Sequence, residues 1–390
     1  MAKILLLTDY SSGYSRNLLK GIVKYSKQFG PWVFYKMPLY YRKVHGEQGV
    51  VDWAKTWGAD AIIAQLEDCV NVEQLKKLNI PIIVQNYRER SSEISNLTGD
   101  YFNTGVMAAN FFLQRGFTNF AYYGIKDIIW SRERGEGFKF ALQKHGFQVS
   151  FYEEKAKREE HWDYNPIELA KWLNTLPKPT ALFACDDYFA SQITETCNVS
   201  DINIPEEIAV LGVDDDQLIC NISNPPLSSI VLDVENGGYR AARMLHQMLE
   251  GKITSIDDII VSPIRVECRQ STEKYAVRNK YILDVLYYIE KHYMTPISVN
   301  DLMNLVPLSR RVLEKKFKEE TGFPVYQYIQ QFRIDKFCRY LTTTDMPLSE
   351  AALKSGFDDY KNLFRIFRKY KDMPPAIYRT LYQKHELVNE

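Results

Sequence analysis

Ser298-Val-Asn-Asp-Leu-Met-Asn-Leu-Val-Pro-Leu-Ser309 followed by Arg310-Arg-Val-Leu-Glu-Lys-Lys-Phe-Lys-Glu-Glu-Thr-Gly322 is one half of a device written twice in this chain. The other half is Leu348-Ser-Glu-Ala-Ala-Leu-Lys-Ser-Gly-Phe357 followed by Asp358-Asp-Tyr-Lys-Asn-Leu-Phe-Arg-Ile-Phe-Arg-Lys-Tyr-Lys371. Each half predicts a short helix, a tight turn and a longer helix with Lys and Arg on its outer face. That arrangement sets a recognition helix into the major groove of DNA. In the first long helix Val312, Leu313 and Phe317 fall on one face and are expected to pack inward, leaving Arg310, Arg311, Glu314, Lys315 and Lys318 outside. In the second, Leu363, Phe364 and Phe367 face inward at least in part, and Tyr360, Lys361, Asn362, Arg365 and Lys369 are the outward candidates. Between them Pro324–Leu341 predicts a bridging helix of about 27 Å, close to one DNA turn, so both long helices can enter successive grooves.

Working back toward the N-terminus, Tyr281–Tyr293 predicts a helix with Ile282, Val285, Leu286 and Ile289 at core spacing. Ser298, with Asp301 three residues on, caps the first short helix. Arg269–Lys280 is polar and lacks periodicity, and residues 271–280 read as a linker. Residues 280–390 hold 18 Lys and Arg against 14 Asp and Glu, which leaves 31 against 35 of the 49 and 49 in the whole chain. A mildly basic C-terminal part on a mildly acidic body fits DNA binding by one part only.

Before the linker, short apolar runs alternate with amphipathic stretches. Strands are predicted at Lys3–Thr8, Trp32–Tyr35, Ala61–Ala64 and Pro81–Gln85, with helices at Tyr14–Phe29, Val50–Trp57 and Val72–Leu78. The pattern then restarts with helix Tyr101–Arg115, strand Phe120–Gly124 and helix Arg134–His145. Strand Val149–Tyr152, helix Pro166–Leu176, strand Ala181–Cys185, helix Asp187–Cys197 and strand Ala209–Val213 follow. Two α/β halves of about a hundred residues predict two lobes of parallel sheet with a cleft between them.

Ligands in such sheets sit at the carboxyl ends of strands. Those ends carry Asp9 and Tyr10, then Gln65 and Glu67, Asn86, Asp186 and Asp187, and the run Asp214-Asp-Asp216, with Tyr14 opening the first helix. Carboxylates beside aromatic rings grip neutral sugars, by hydrogen bonds to hydroxyls and by stacking on apolar faces. For Asp9 and Asp187 a helix N-cap is the competing role. No catalytic constellation emerges: there is no GxGxxG, P-loop, HExxH or GxSxG, and the six histidines are dispersed. The expectation is a binding protein without enzymatic activity or cofactor.

The six cysteines show no ligand spacing and read as buried thiols of a reducing compartment, with no metal site. The apolar start Ile4–Leu7 is too short for a signal-peptide core, and no run of about eighteen apolar residues occurs. A cytoplasmic location without membrane contact is expected.

Four stretches carry a resemblance: Gly99-Asp-Tyr-Phe-Asn-Thr-Gly105, Ser131-Arg-Glu-Arg-Gly-Glu-Gly-Phe138, Ala181-Leu-Phe-Ala-Cys-Asp186 and Ala209-Val-Leu-Gly-Val-Asp-Asp215, with the closing segment Leu227–Val234. With them residues 1–270 resemble the periplasmic-binding-protein-like sensor domain of lactose- and galactose-repressor-type regulators. The resemblance implies that Arg134 and Asp214 hold sugar hydroxyls and that Asp100 and Asp186 lie near the cleft. Cys185 stands where that family usually has Asn, and the chain begins on the first sensor strand without preceding DNA-binding helices.

Residues 281–390, ending Phe367-Arg-Lys-Tyr-Lys-Asp-Met-Pro-Pro-Ala-Ile-Tyr-Arg379, are similar to the AraC/XylS-type DNA-binding domain. Carried over by position, base-edge contacts fall to Arg311, Glu314 and Lys315 in the first long helix and to Lys361, Asn362 and Arg365 in the second. Sensor first and helices last is the order of bacterial activators of pentose operons, which the whole chain resembles. That resemblance implies a homodimer on double-stranded operator DNA, contact with RNA polymerase, and a small sugar effector, D-xylose. Arabinose, a sugar phosphate or another sugar remain open from the residues alone, as does a sugar-binding enzyme with an accessory DNA domain.

Overall fold

The computed structural model describes all residues except 9, 67–69, 155–164, 254, 278 and 384–390. The first lobe opens with β1 (Lys3–Leu7), α1 (Gly13–Phe29), β2 (Val33–Lys36), α2 (Leu39–Trp57), β3 (Ala61–Leu66), α3 (Val70–Lys76), β4 (Ile82–Asn86) and β5 (Ser95–Gly99). The chain then crosses to the second lobe through α4 (Tyr101–Gln114), β6 (Phe120–Ile125), α5 (Ile129–Gln143), β7 (Val149–Glu154) and α6 (Pro166–Thr175). β8 (Thr180–Ala184), α7 (Asp187–Val199), β9 (Ile208–Val213), α8 (Gln217–Ile222) and β10 (Ser228–Leu232) complete it. α9 (Val234–Leu249) and β11 (Ile259–Val261) return to the first lobe, and β12 (Pro263–Glu267) ends in the second.

The two six-stranded sheets run β11-β5-β4-β3-β1-β2 and β12-β10-β9-β8-β6-β7. Every pairing is parallel except β12 on β10, an antiparallel edge that the all-parallel reading did not include. β3, β8 and β9 are buried along their whole length, as strands covered by helices on both faces must be. Three crossovers, at Asp100, Asp233 and Ser262, join the lobes. They are tied to one another by Asp100 N donating to Val261 O at 2.8 Å and Asp233 N to Ser262 O at 2.9 Å.

Two helix pairs clamp the body. α1 meets α9 where a Cβ on Gly21 would lie 1.8 Å from Glu235 O, and one on Gly238 2.1 Å from Leu18 O. α4 meets α5 in the same way through Gly105 and Gly137. Only glycine permits these backbones to approach so closely. α9 had no counterpart in the sequence reading. Its buried face is Val234, Gly237, Gly238, Ala241, Ala242 and Leu245, a clear apolar stripe in which glycine and alanine outnumber the larger residues. α2 begins earlier than expected, and Gly46 (φ 60°) interrupts its helical geometry.

After β12 a 3₁₀ turn, Gln270–Thr272, precedes α10 (Lys280–His292), α11 (Val299–Met303), α12 (Arg310–Thr321), α13 (Val325–Thr343), α14 (Leu348–Lys354), α15 (Tyr360–Lys371) and α16 (Pro375–Tyr382). The segment read as a linker is fastened at its start. Ser271 and Thr272 are fully buried, and Ser271 Oγ donates to Val210 O at 2.7 Å. Hydroxyls spent on buried partners, backbone for Ser271 and the Ser228 hydroxyl for Thr272, look polar in sequence, which is why this stretch reads as a linker. Two other readings are corrected: Val312 is exposed, and Cys268 is an exposed thiol whereas Cys185, Cys197, Cys220 and Cys338 are buried. Cys69 lies outside the described residues. Among the described residues no helix is long and apolar enough to cross a membrane.

Candidate functional site

The carboxyl ends of the two sheets face each other, and the cleft between them is built around one buried guanidinium. Arg134 projects from the first turns of α5 and is 3% exposed. Its guanidinium lies over the rings of Tyr101 at 5.5 Å and Trp130 at 5.4 Å. Nη1 donates to the Cys185 carbonyl at 2.5 Å, and Nη2 stands 3.6 Å from Asp214 Oδ1. Position 185 thus contributes its backbone oxygen, for which Cys serves as well as Asn. Arg134 Nε, Asp214 Oδ1 and the Tyr14 hydroxyl are buried without a hydrogen-bond partner. Buried polar atoms without hydrogen bonds are costly, about 1–3 kcal/mol each, and three of them gathered in one cleft, with Asp214 Oδ1 held only by its ion pair to Arg134, make it the candidate site.

Burial pushes the Asp214 carboxyl up against the opposing pull of Arg134, and pushes the Tyr14 hydroxyl well up. Asp214 and Asp215 both adopt left-handed backbone, φ 103° and 50°. For residues other than glycine such geometry costs of order 1–3 kcal/mol each and is typical of functional turns.

The remaining candidates are placed as follows. Asp186 caps α7, accepting from Phe189 N at 2.8 Å, and burial next to Asp214 raises its pKa to about 7. Asp100 caps α4, accepting from Asn103 N at 3.3 Å. Asp187 is buried and accepts from Asp216 N at 2.7 Å, a bracing role. Tyr10 is half-buried with Lys36 Nζ 4.0 Å above its ring. Gln65 sits at the sheet end between Ser15 Oγ (3.1 Å) and Gln85 Oε1 (2.9 Å), a polar ladder beneath the cleft. Asn86 ends β4, with its side chain outside the described part. Asp9 and Glu67 lie outside the described residues.

Sequence reasoning missed the contacts that hold the lobes together. Asp216 Oδ2 accepts from Gly13 N at 2.7 Å and from Arg16 Nη2 at 2.9 Å, reaching from the second lobe to the first. On the other side of the cleft Arg90 grips Glu133 at 2.6 and 2.8 Å, and Ile129 N donates to Tyr87 O at 2.8 Å. The Asp run was visible in the sequence, but partners some 200 positions away leave no local signal.

The helical domain presents two similar faces. In the first unit Ser298 and Asp301 form a reciprocal capping box, and Leu313 and Phe317 pack against Ile282, Leu286, Leu302 and Ile329. Arg310, Arg311, Glu314 and Lys315 on α12 are exposed, with Arg310 Nε 3.0 Å from Glu314 and Lys315 Nζ 3.7 Å from Glu319. In the second unit Gly356 (φ 84°) makes the turn directly against the Tyr293 carbonyl. Leu363, Ile366 and Phe367 are buried, while Arg365 and Lys369 are exposed and Arg365 Nη2 donates to Asn362 Oδ1 at 3.1 Å. The Lys361 side chain lies outside the described part. α13 has 19 residues, so it spans roughly 28 Å at 1.5 Å per residue.

Comparison with known proteins agrees with both halves. Residues 109–272 match the periplasmic binding protein-like domain, and residues 302–380 match a helix-turn-helix domain. The xylose operon regulatory protein of Escherichia coli K12 is 26% identical over 388 residues, covering 97% of this chain and 97% of that protein. Its namesake in Haemophilus influenzae Rd is 27% identical over 386 residues, covering 97% and 98%. A solved structure described as a xylose-binding transcription activator superposes with a TM-score of 0.60 at 25% identity, covering 98% of each chain.

Proposed function

We propose that this chain, a sugar-sensing DNA-binding transcription regulator, takes D-xylose as its effector and activates genes of pentose uptake and catabolism. The observation that carries the proposal is the unsatisfied trio in the cleft, Tyr14 hydroxyl, Arg134 Nε and Asp214 Oδ1, read together with end-to-end similarity to xylose operon regulators. Arginines at the cleft already face carboxylates, Arg134 with Asp214, Arg16 with Asp216 and Arg90 with Glu133. A neutral polyol suits that charge balance better than a sugar phosphate, whose dianion would meet Asp186, Asp214 and Asp216 as well. Arg134 and Asp214 would hold hydroxyls, with Trp130 and Tyr101 offering ring faces.

Sugar that prefers the closed lobes shifts their population toward closure. In a homodimer this would change the spacing of four recognition helices on the operator, with Arg310, Arg311, Glu314 and Lys315 on α12 and Lys361, Asn362, Arg365 and Lys369 on α15 at the DNA. RNA polymerase contact and a cytoplasmic location follow from the activator role, which calls for no enzymatic step. The test is calorimetric titration with D-xylose against L-arabinose, ribose, glucose and a pentose phosphate. Saturable binding of xylose alone is expected, and tighter binding of the phosphate would overturn the effector assignment.

A further inference from the structure

The three consecutive aspartates at the end of β9 point in three directions, and each holds something different. Asp214 faces Arg134 in the cleft. Asp216 accepts from Gly13 N and Arg16 of the opposite lobe, and its Oδ1 also accepts from Leu218 N at 3.1 Å. Asp215 points away from the cleft and pairs with Arg269 at 2.6 Å. Arg269 stands just beyond the end of β12, where the chain leaves the body for the DNA-binding helices.

Arg269 is held on several sides. Its Nη1 donates to Leu227 O at 2.8 Å, and its own N and O bond to Ser228 Oγ at 2.8 and 2.9 Å. Asp215 N in turn donates to Ser229 Oγ at 2.9 Å. The exit segment beyond it is equally fixed. Ser228 Oγ meets Thr272 Oγ1 at 2.7 Å, Lys274 Nζ pairs with Glu206 at 2.7 Å, and Ala276 N donates to Arg115 O at 2.8 Å. Tyr275 then donates to Glu290 of α10, the first helix of the DNA-binding domain, at 3.3 Å.

We infer that Arg269, through Asp215, is a positioning residue of the sugar cleft and the link by which the state of the cleft reaches the DNA-binding domain. The inference rests on the sugar-sensing reading above. Opening the lobes must release Gly13 N and Arg16 from Asp216, and sugar must engage Asp214. Both events act on one turn of three residues in constrained backbone. Its middle carboxylate is 4% exposed and paired in a site screened from water, so it does not exchange partners freely. A shift of that turn therefore shifts Arg269, and with it the fastened exit segment and α10. The alternative, that Arg269 only staples β12 to the body, predicts changes in stability but none in coupling.

The experiment measures operator affinity of the full chain by fluorescence anisotropy, without and with saturating D-xylose, and sugar affinity by calorimetry. The native chain is measured first, because an unchanged operator affinity with sugar bound would fail the functional reading and not this one. A native sugar effect of about fivefold or more is expected to fall to within about twofold of none in Arg269→Gln and Asp215→Asn. Operator affinity without sugar should stay near native, and sugar affinity should drop modestly through the loosened Asp214 turn. Arg269→Lys, which keeps the charge, should restore part of the effect. If Arg269→Gln fails to fold, Asp215→Asn decides, since it leaves the bonds of Arg269 to Leu227 and Ser228 in place. A native sugar effect in Asp215→Asn, or affinities that fall together with their ratio unchanged, would overturn the inference.

Discussion

The two helix-turn-helix units share a design but differ in what they stand on. The first unit has a core of its own, with Ile282, Val285, Leu286, Ile289, Leu302, Leu313 and Phe317 closing on Val325 and Ile329. It meets the body at the end of α4, where the Glu320 carbonyl packs against Gly116 and the Arg115 guanidinium lies between the rings of Phe111 and Tyr275. The second unit has no separate core. Ile334, Phe337, Phe367 and Tyr378 pack directly on Val231 and Ile264 of the second lobe, Tyr378 donates to the Ile264 carbonyl at 3.1 Å, and Arg339 pairs with Glu267 at 3.0 Å. One unit therefore rides on the β10–β12 edge of the sensor, and the other hangs from the exit segment and the bridging α13. A change in lobe geometry reaches them by different routes, and the spacing between their recognition helices can change.

The largest expected effect breaks the second unit at its base. Phe367→Ala removes a fully buried ring and should cost about 3–5 kcal/mol. Differential scanning calorimetry should show the loss, operator binding should collapse, and sugar titration should survive because the cleft draws on other residues. Next come the cleft residues. Arg134→Ala or Asp214→Ala deletes a charge-assisted contact of about 1.5–3 kcal/mol and should weaken sugar by roughly ten- to a hundredfold in calorimetry, leaving sugar-free operator binding measurable. Normal sugar affinity in both variants would remove them from the site. At the reading face, Arg365→Ala should cost about 1–3 kcal/mol of operator affinity and relax sequence preference, whereas Lys369→Ala should weaken all sequences alike and lower the salt slope by about one.

The smallest effect is in pH. Asp186 is raised to about 7 in the folded chain, from 3.8 for a solvated carboxyl. Between those values the folded state binds the extra proton, so this group's contribution is full below the lower value and is lost as pH rises toward about 7. Asp186→Asn, which preserves an N-cap, should flatten that part of the stability profile measured by urea unfolding. An unaltered slope would assign it to other carboxyls.

The sequence made legible whatever repeats locally. The β-α alternation of both lobes, the burial of Leu313, Leu363 and Phe367, and the capping box at Ser298 follow from spacing alone. What escaped depends on distant partners. α9 carries a legible apolar stripe, but the value of its Gly238 lies in the closeness of α1 and α9, which the sequence does not show. Ser271 and Thr272 read as linker residues because their hydroxyls serve partners brought together by the fold, the Val210 carbonyl for Ser271 and the Ser228 hydroxyl for Thr272. In the Asp run only the structure separates a cleft carboxylate from a lobe latch and a junction anchor, since three identical side chains carry no label of direction. The left-handed backbone at Asp214 and Asp215 is what turns them apart.

The most direct test of the account is operator affinity of the full chain with and without saturating D-xylose, measured beside Asp214→Ala. A change of about fivefold or more in the native chain that disappears in the variant is the predicted result. An operator affinity indifferent to sugar that demonstrably fills the cleft, or a response that persists without Asp214, would contradict it.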